Sequence, residues 1–249
     1  YAYAKQTGGQ LQIIHKTDNG NRPVYWDSIL YRLQPYLVPW IPSHLSLWYE
    51  PQPTQYKEIG TLPPNGIYLN GYLQSSKYYP TDEIKEEIKA LFRPTEELTA
   101  HVQQTYSSLL EHVERVVVVH ARRTDYVTLR EVHGPLDSSY YKEAIKRIMK
   151  RVENPIFLLC GDDQSYWNEI KNDIPEVFQH EHIILSNESD IRTFALLQQF
   201  RYFIMSNSTF IWWCVWLSSA KHVLVPSVWF GPAGPSNYED IYEKEWERI

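Results

Sequence analysis

Several signatures are scarce or missing in this 249-residue sequence, and each absence removes a class of function. There are only two cysteines, Cys160 and Cys214, each inside an apolar run (IFLLC and WWCVW). Two such residues read as small buried side chains, not as a disulfide framework or a metal site. Positive charge is in deficit: 24 Lys and Arg against 30 Asp and Glu leave a formal net charge of −6. The basic footprint of a nucleic-acid binder is therefore missing, no nucleic-acid partner is expected, and any anion site must be local. No apolar run approaches the length of a membrane span, and no signal peptide is visible. Neither a Walker A string nor GxGxxG occurs, which counts against P-loop kinases and simple dinucleotide enzymes. Internal repeats and low-complexity tracts are also missing.

What is present is a substantial hydrophobic fraction, 43% against 22% charged residues, enough for a real core. The second half alternates regularly between two periodicities. RVVVVHA (115–121), PIFLLCGDD (155–163), HIILSN (182–187), YFIMSN (202–207) and HVLVPSV (222–228) read as buried strands. Between them, helices are predicted at SSYYKEAIKRIMKR (138–151), SYWNEIKNDI (165–174), SDIRTFALLQQF (189–200) and STFIWWCVWLSS (208–219). The last is apolar nearly all round and therefore buried. This β-α-β-α order implies a doubly wound, mostly parallel sheet.

The first half is less regular. YWDSILYRLQPYL (25–37) predicts a helix that Pro35 bends or ends, and a proline-rich tract follows from Pro39 to Pro64. GIYLNGYLQS (66–75) reads as a strand running into a polar loop. TDEIKEEIKALFR (81–93) is predicted as a helix capped by Thr81, and Pro94 begins another that runs to about Val113. The opening residues, YAYAKQTGGQLQII, read as the last turns of a helix, a Gly-Gly stop and a strand. No strand and turn stand before that helix, as an α/β unit would need. The domain boundary is expected near 112, giving domains 1–112 and 113–249.

Ligands of doubly wound sheets bind beyond the carboxyl ends of the strands. The five predicted strands of the second half all end in polar clusters. These are His120, Arg122, Arg123 and Asp125; Gly161, Asp162 and Asp163; Asn187 and Asp190; Ser206, Asn207, Ser208 and Thr209; and Ser227 with Trp229. The SNSTF turn opens a helix, whose N–H groups can cradle a phosphate. Two arginines can oppose a diphosphate bidentately, and Asp190 can accept from a purine edge. Plainer readings stand beside these. Arg122 and Arg123 can simply pair with Asp125, SNSTF can be an ordinary helix cap, and the tryptophans are best read as core. Asp162-Asp163 lacks the one-residue gap of a sugar-nucleotide metal motif, so no metal is expected. His180 and His182 read as a solvated loop.

The motifs also carry a resemblance. HARRTDY (120–126) resembles the HxRRxD motif of the superfamily that uses GDP-fucose, and the chain is most similar to the α-1,2-fucosyltransferase family, glycosyltransferase family 11. GYLQSSKYY (71–79) resembles that family's GYFQSxKYF, GDDQSYW (161–167) its SDDxxW, MSNSTFIWWCVWLS (205–218) its NSTFSWWxAWL, and VPSVWF (225–230) its PxxWF. They fall in order along nearly the whole chain. The family usually opens with a GGLGNQ-type strand and turn leading to a QYAYA-like helix, which Tyr1-Ala2-Tyr3-Ala4 matches. The resemblance implies an α/β, GT-B-like fold of two Rossmann-type halves, with GDP-fucose held by the C-terminal half. It also implies transfer to a galactose-containing glycan acceptor with inversion, and no metal or other cofactor.

Carried over by the resemblance, Arg123 holds the β-phosphate and stabilises the leaving group, while His120 and Arg122 shape the nucleotide site. Asp190 sits where relatives place a guanine-reading aspartate. Asn207, Ser208, Thr209 and Phe210 line the diphosphate and base. Glu131 stands near the place where more distant relatives carry a catalytic glutamate, with Asp125 as rival for the base. A silent nucleotide- or carbohydrate-binding relative, or a transferase of the same fold with another linkage or donor, is the alternative. A cytoplasmic location is expected, with a Golgi-lumenal fragment freed of its anchor as the other reading.

Overall fold

A computed structural model describes residues 1–19 and 22–249. It divides into two units: Tyr1–Thr95 with Asn237–Glu243, and Glu96–Ser236 with Lys244–Ile249.

In the first unit, helix α1 (Ala2–Thr7) ends at Gly8, whose φ of 68° is the left-handed turn that a Gly-Gly stop allows. Strand β1 (Ile13–Ile14) pairs in parallel with β4 (Leu37–Val38), and β2 (Asp18–Asn19) pairs antiparallel with β3 (Arg22–Pro23). Strand β5 (Ser46–Tyr49) pairs in parallel with β6 (Ile67–Asn70). Among the described residues these are three two-stranded sheets, not one wide sheet. Prolines at 39, 42, 51, 53, 63 and 64 crowd the connections and lack the N–H that a ladder needs. The helix expected over 25–37 is instead a set of turns followed by a 3₁₀ helix, Tyr31–Tyr36, with Pro35 inside it. Its ring would clash with an α-helical carbonyl four residues earlier. Helix α2 (Asp82–Leu91) forms as the pattern predicts: Thr81 Oγ1 accepts from Ile84 N–H at 3.3 Å, and Ile84 and Ile88 are buried.

The second unit begins with α3 (Glu96–Thr105) and α4 (Ser107–Leu110), which replace the single helix expected to run to about Val113. The valine run then forms β7 (Val116–Ala121), with all six residues buried. Short helices α5 (Thr124–Thr128) and α6 (Arg130–His133) follow, then α7 (Ser138–Ile148) and β8 (Ile156–Gly161). After α8 (Ser165–Glu169) and α9 (Pro175–Gln179) come β9 (His182–Ile184), α10 (Asp190–Leu197) and β10 (Tyr202–Ile204). Helix α11 (Thr209–Leu217), β11 (His222–Val225) and β12 (Glu247–Arg248) complete the unit. The division falls at residue 95 and not near 112, because α3 packs against α10 with Leu98 and Val102 buried.

All six strands of this sheet are parallel, in the order β12-β11-β10-β7-β8-β9. Read from β9, that is 3-2-1-4-5-6, the doubly wound order whose direction reverses between its first and fourth strands. One face packs Val117, Val119, Ala121, Phe157 and Leu159 against Tyr141, Ile145, Ile148 and Trp167. Each such side chain contributes about 1.5–3 kcal/mol on burial. The other half of the core includes α10 and α11, the latter burying Ile211, Trp212, Cys214, Val215 and Trp216. Both cysteines are free and buried, and burial pushes both thiols up from their ordinary pKa. Among the described residues no helix is long and apolar enough to cross a membrane.

Candidate active site at the strand ends

The reversal of strand order sets β7 and β10 side by side, in the register Val119 to Ile204, with connections that leave in opposite directions. In sheets of this order, ligands bind beyond the carboxyl ends of such a strand pair. His120 is the last inward-facing side chain of β7 on that side. It is 4% exposed, shares a 2.8 Å hydrogen bond with Ser206 through Nδ1, and stacks on Phe210 with ring centroids 5.9 Å apart. Desolvation lowers its pKa to about 4, with Asp162 opposing and Arg122 adding to the shift, so the ring is neutral near pH 7. Phe210 in turn meets Phe194 of α10 edge-on, at 5.7 Å. Buried His120 and Ser206, with half-buried Phe210, thus form one bridge across the switch point.

The two arginines that follow are treated differently. Arg122 is charge-paired: Nε donates to Asp125 Oδ1 at 2.9 Å, Nη2 lies 2.8 Å from the same oxygen, and Nε is 3.3 Å from Asp162 Oδ2. The Arg123 guanidinium has no carboxylate partner among the described residues. Its Nη1 donates to the Leu136 carbonyl at 3.1 Å, and its guanidinium lies 4.2 Å from the centroid of the Tyr166 ring. A carbonyl and a ring face hold the group in place without neutralising it.

Asp162, at the end of β8, fixes the loop that carries both arginines. Its Oδ1 accepts the Arg123 backbone N–H at 2.8 Å, and its Oδ2 accepts the Thr124 hydroxyl. The sequence places Asp162 in the polar cluster at the end of its strand and argues against a metal there, but it does not show this tie to the arginine loop. Gly161 makes the approach feasible: its φ is +155°, and a Cβ there would lie 2.3 Å from the Ala121 carbonyl oxygen. Asp163 instead stands just before the α8 N-cap, Gln164, and its Oδ1 accepts from Ser165 N–H at 3.0 Å. His180 and His182 bond backbone carbonyls through Nδ1, at 2.7 and 3.0 Å.

The SNSTF segment divides in the same way. Asn207 is 1% exposed, and its amide donates to the carbonyls of His133, Gly134 and Trp229 at 2.6, 3.1 and 2.8 Å. It ties three loops together through Nδ2, while its Oδ1 is buried and has no partner among the described residues. Ser208 is the N-cap of α11 and makes no side-chain cap bond, while Thr209, the first helical residue, is exposed. The opening N–H groups of a helix have no partner within it, so this end suits an anion.

Two sequence candidates stand apart from this cluster. Glu131, on α6, is exposed, and its side chain has no polar partner among the described residues; only its carbonyl is engaged, by Ala233 N–H at 2.7 Å. Asp190 is the first residue of α10 and is exposed; the cap is supplied by Ser189, whose Oγ accepts from Arg192 N–H at 3.4 Å. The structure shows neither in contact with the arginines.

The model described as Glycosyl transferase family 11 matches residues 38–249. Among curated proteins, the chain is 28% identical over 198 residues to an alpha-1,2-colitosyltransferase of Escherichia coli, covering 78% of this chain and 66% of that one. It is 27% identical over 239 residues to galactoside 2-alpha-L-fucosyltransferase SEC1 of Bos taurus, covering 90% of this chain and 60% of that one. The chain thus spans about two thirds or less of the length of these relatives. Among solved structures, POFUT1 in complex with GDP-fucose aligns at 13% identity and a TM-score of 0.45, covering 82% of this chain and 83% of that one.

Proposed function

The chain belongs to glycosyl transferase family 11, and from that premise we propose that it moves L-fucose from GDP-β-L-fucose to O-2 of a terminal galactose on a glycan, with inversion at the anomeric carbon. The observation that carries this reading is Arg123. It is a cation at the switch point of a doubly wound sheet, held by a carbonyl and an aromatic ring and paired with no carboxylate among the described residues. Glycosyl transfer leaves negative charge growing on the departing diphosphate, and a preorganised cation there stabilises the transition state more than the ground state. The uncapped start of α11 supplies backbone N–H groups to the same anion. Arg122, already paired with Asp125 and Asp162, shapes the loop. No metal ion is assigned a part, and Asp190 is assigned to the guanine edge.

Inversion needs a base for the acceptor hydroxyl. Asp125 is engaged by Arg122, whereas the Glu131 carboxylate is exposed and has no side-chain partner among the described residues. That contrast favours Glu131.

The name of the Escherichia coli relative supports a second donor, activated colitose. The experiment is to incubate the chain with GDP-fucose, or with nucleotide-activated colitose, and a panel of galactose-terminated glycans. The product linkage is then assigned by NMR. An α-1,2-fucosyl product supports the reading. A colitosyl product alone transfers it to the second donor. Tight GDP binding with neither product nor hydrolysis marks a silent relative and removes it.

A further inference from the structure

One buried carboxylate in the second unit lies outside the machinery just described. Glu188 stands in the loop between β9 and α10, two residues before Asp190. Its side chain is 10% exposed, and a single oxygen, Oε1, accepts from the Tyr106 hydroxyl at 2.9 Å and lies 3.2 Å from His101 Nε2. These partners come from α3 and the start of α4, helices that precede the β-α repeat altogether. The other oxygen, Oε2, is buried and has no partner among the described residues.

A half-satisfied buried carboxylate costs stability. An apolar residue would pack there without that cost. What the carboxylate supplies in exchange is a fixed position. Asn187 immediately before it turns the chain at a φ of 61°, and Ser189 immediately after it caps α10. The turn is therefore pinned from below at Glu188, while Asp190 stands exposed at its end.

We infer that Glu188 is a positioning residue for the nucleoside end of the donor: held by Tyr106 and His101, it sets the Asn187–Asp190 turn, and through it the Asp190 carboxylate, for contact with the base. The inference rests on the donor reading above and adds that base recognition depends on helices outside the nucleotide fold proper. Glu188 does not touch the ligand. A glutamine keeps an acceptor for Tyr106 and His101, whereas an alanine removes it.

The test is calorimetry on the full chain with two probes, GDP and inorganic pyrophosphate. Glu188→Ala is expected to raise the Kd for GDP about tenfold and leave that for pyrophosphate unchanged, and Glu188→Gln is expected to restore most of the loss. If Glu188→Ala does not fold, Tyr106→Phe carries the test, with about a threefold rise for GDP alone. Equal weakening of both probes means a general structural lesion and overturns the inference. So does a glutamine variant as damaged as the alanine, which would make Glu188 a direct contact. Wild-type chain that binds GDP while no variant changes it overturns this inference only. Wild-type chain that binds pyrophosphate but not GDP removes the donor reading and this inference with it.

Discussion

Adjacent side chains in HARRTDY perform unlike tasks, and the difference lies in their partners. His120 is a neutral, buried strut: its ring bonds Ser206 and stacks on Phe210. Because burial depresses its pKa from 6.5 to about 4, the unfolded chain takes up a proton first as the pH falls. The stability tied to this neutral ring is fully present above about pH 6.5 and is lost as the pH falls to about 4, an effect on the order of 3 kcal/mol. Urea unfolding between pH 7 and 4.5 should show a shallower pH dependence for His120→Gln than for the wild type; equal slopes would mean the ring is not buried neutral. Glu131 is argued from its freedom. If it is the base, Glu131→Gln should lower kcat by about 100-fold or more and remove the acidic limb of the pH–rate profile. Turnover that stays normal at every pH rules it out.

The strands of the second unit were legible as elements because each apolar run is short, β-branched and closed by polar residues. The run 115–121 became Val116–Ala121, and 222–228 became His222–Val225. The two-residue β12 was not legible, since Glu247–Arg248 has no periodicity to read and exists only by pairing with β11. Nor was β5, inside a proline-rich tract. The 3₁₀ form of Tyr31–Tyr36 was half legible: Pro35 signalled a disruption but not its form. In the site, residue types and strand ends could be read, but the division of labour between Arg122 and Arg123, and the Asn207 Nδ2 shared among three carbonyls, required the folded geometry. Gly161 shows how one element positions another. Gly161→Ala would put a Cβ 2.3 Å from the Ala121 carbonyl oxygen at a φ of +155°. It should cost on the order of 2 kcal/mol or more and displace the arginine loop. Denaturant melts and GDP titrations on the same sample should fall together; a variant of unchanged stability would mean that β7 and β8 separate there at little cost.

At the scale of the molecule, the proposed donor site lies in the second unit, at a switch point whose strand order is that of dinucleotide-binding sheets. Arg123 is the residue proposed to meet the diphosphate, and its partners predict a specific response to substitution. Removing the side chain loses a ring contact and one carbonyl hydrogen bond, about 1–2 kcal/mol of fold stability. It should lose far more in function, and Arg123→Lys should not rescue it, because the planar fork is gone. The most direct measurement is calorimetric titration of GDP, in excess chelator, into the wild type, Arg123→Lys and Arg123→Ala, with a thermal melt of each. The account predicts wild-type binding without divalent metal, Kd values raised about tenfold or more in both variants, and melting temperatures lowered by no more than several degrees. GDP binding that appears only with added Mg²⁺ or Mn²⁺, or that survives Arg123→Ala unchanged, would contradict it.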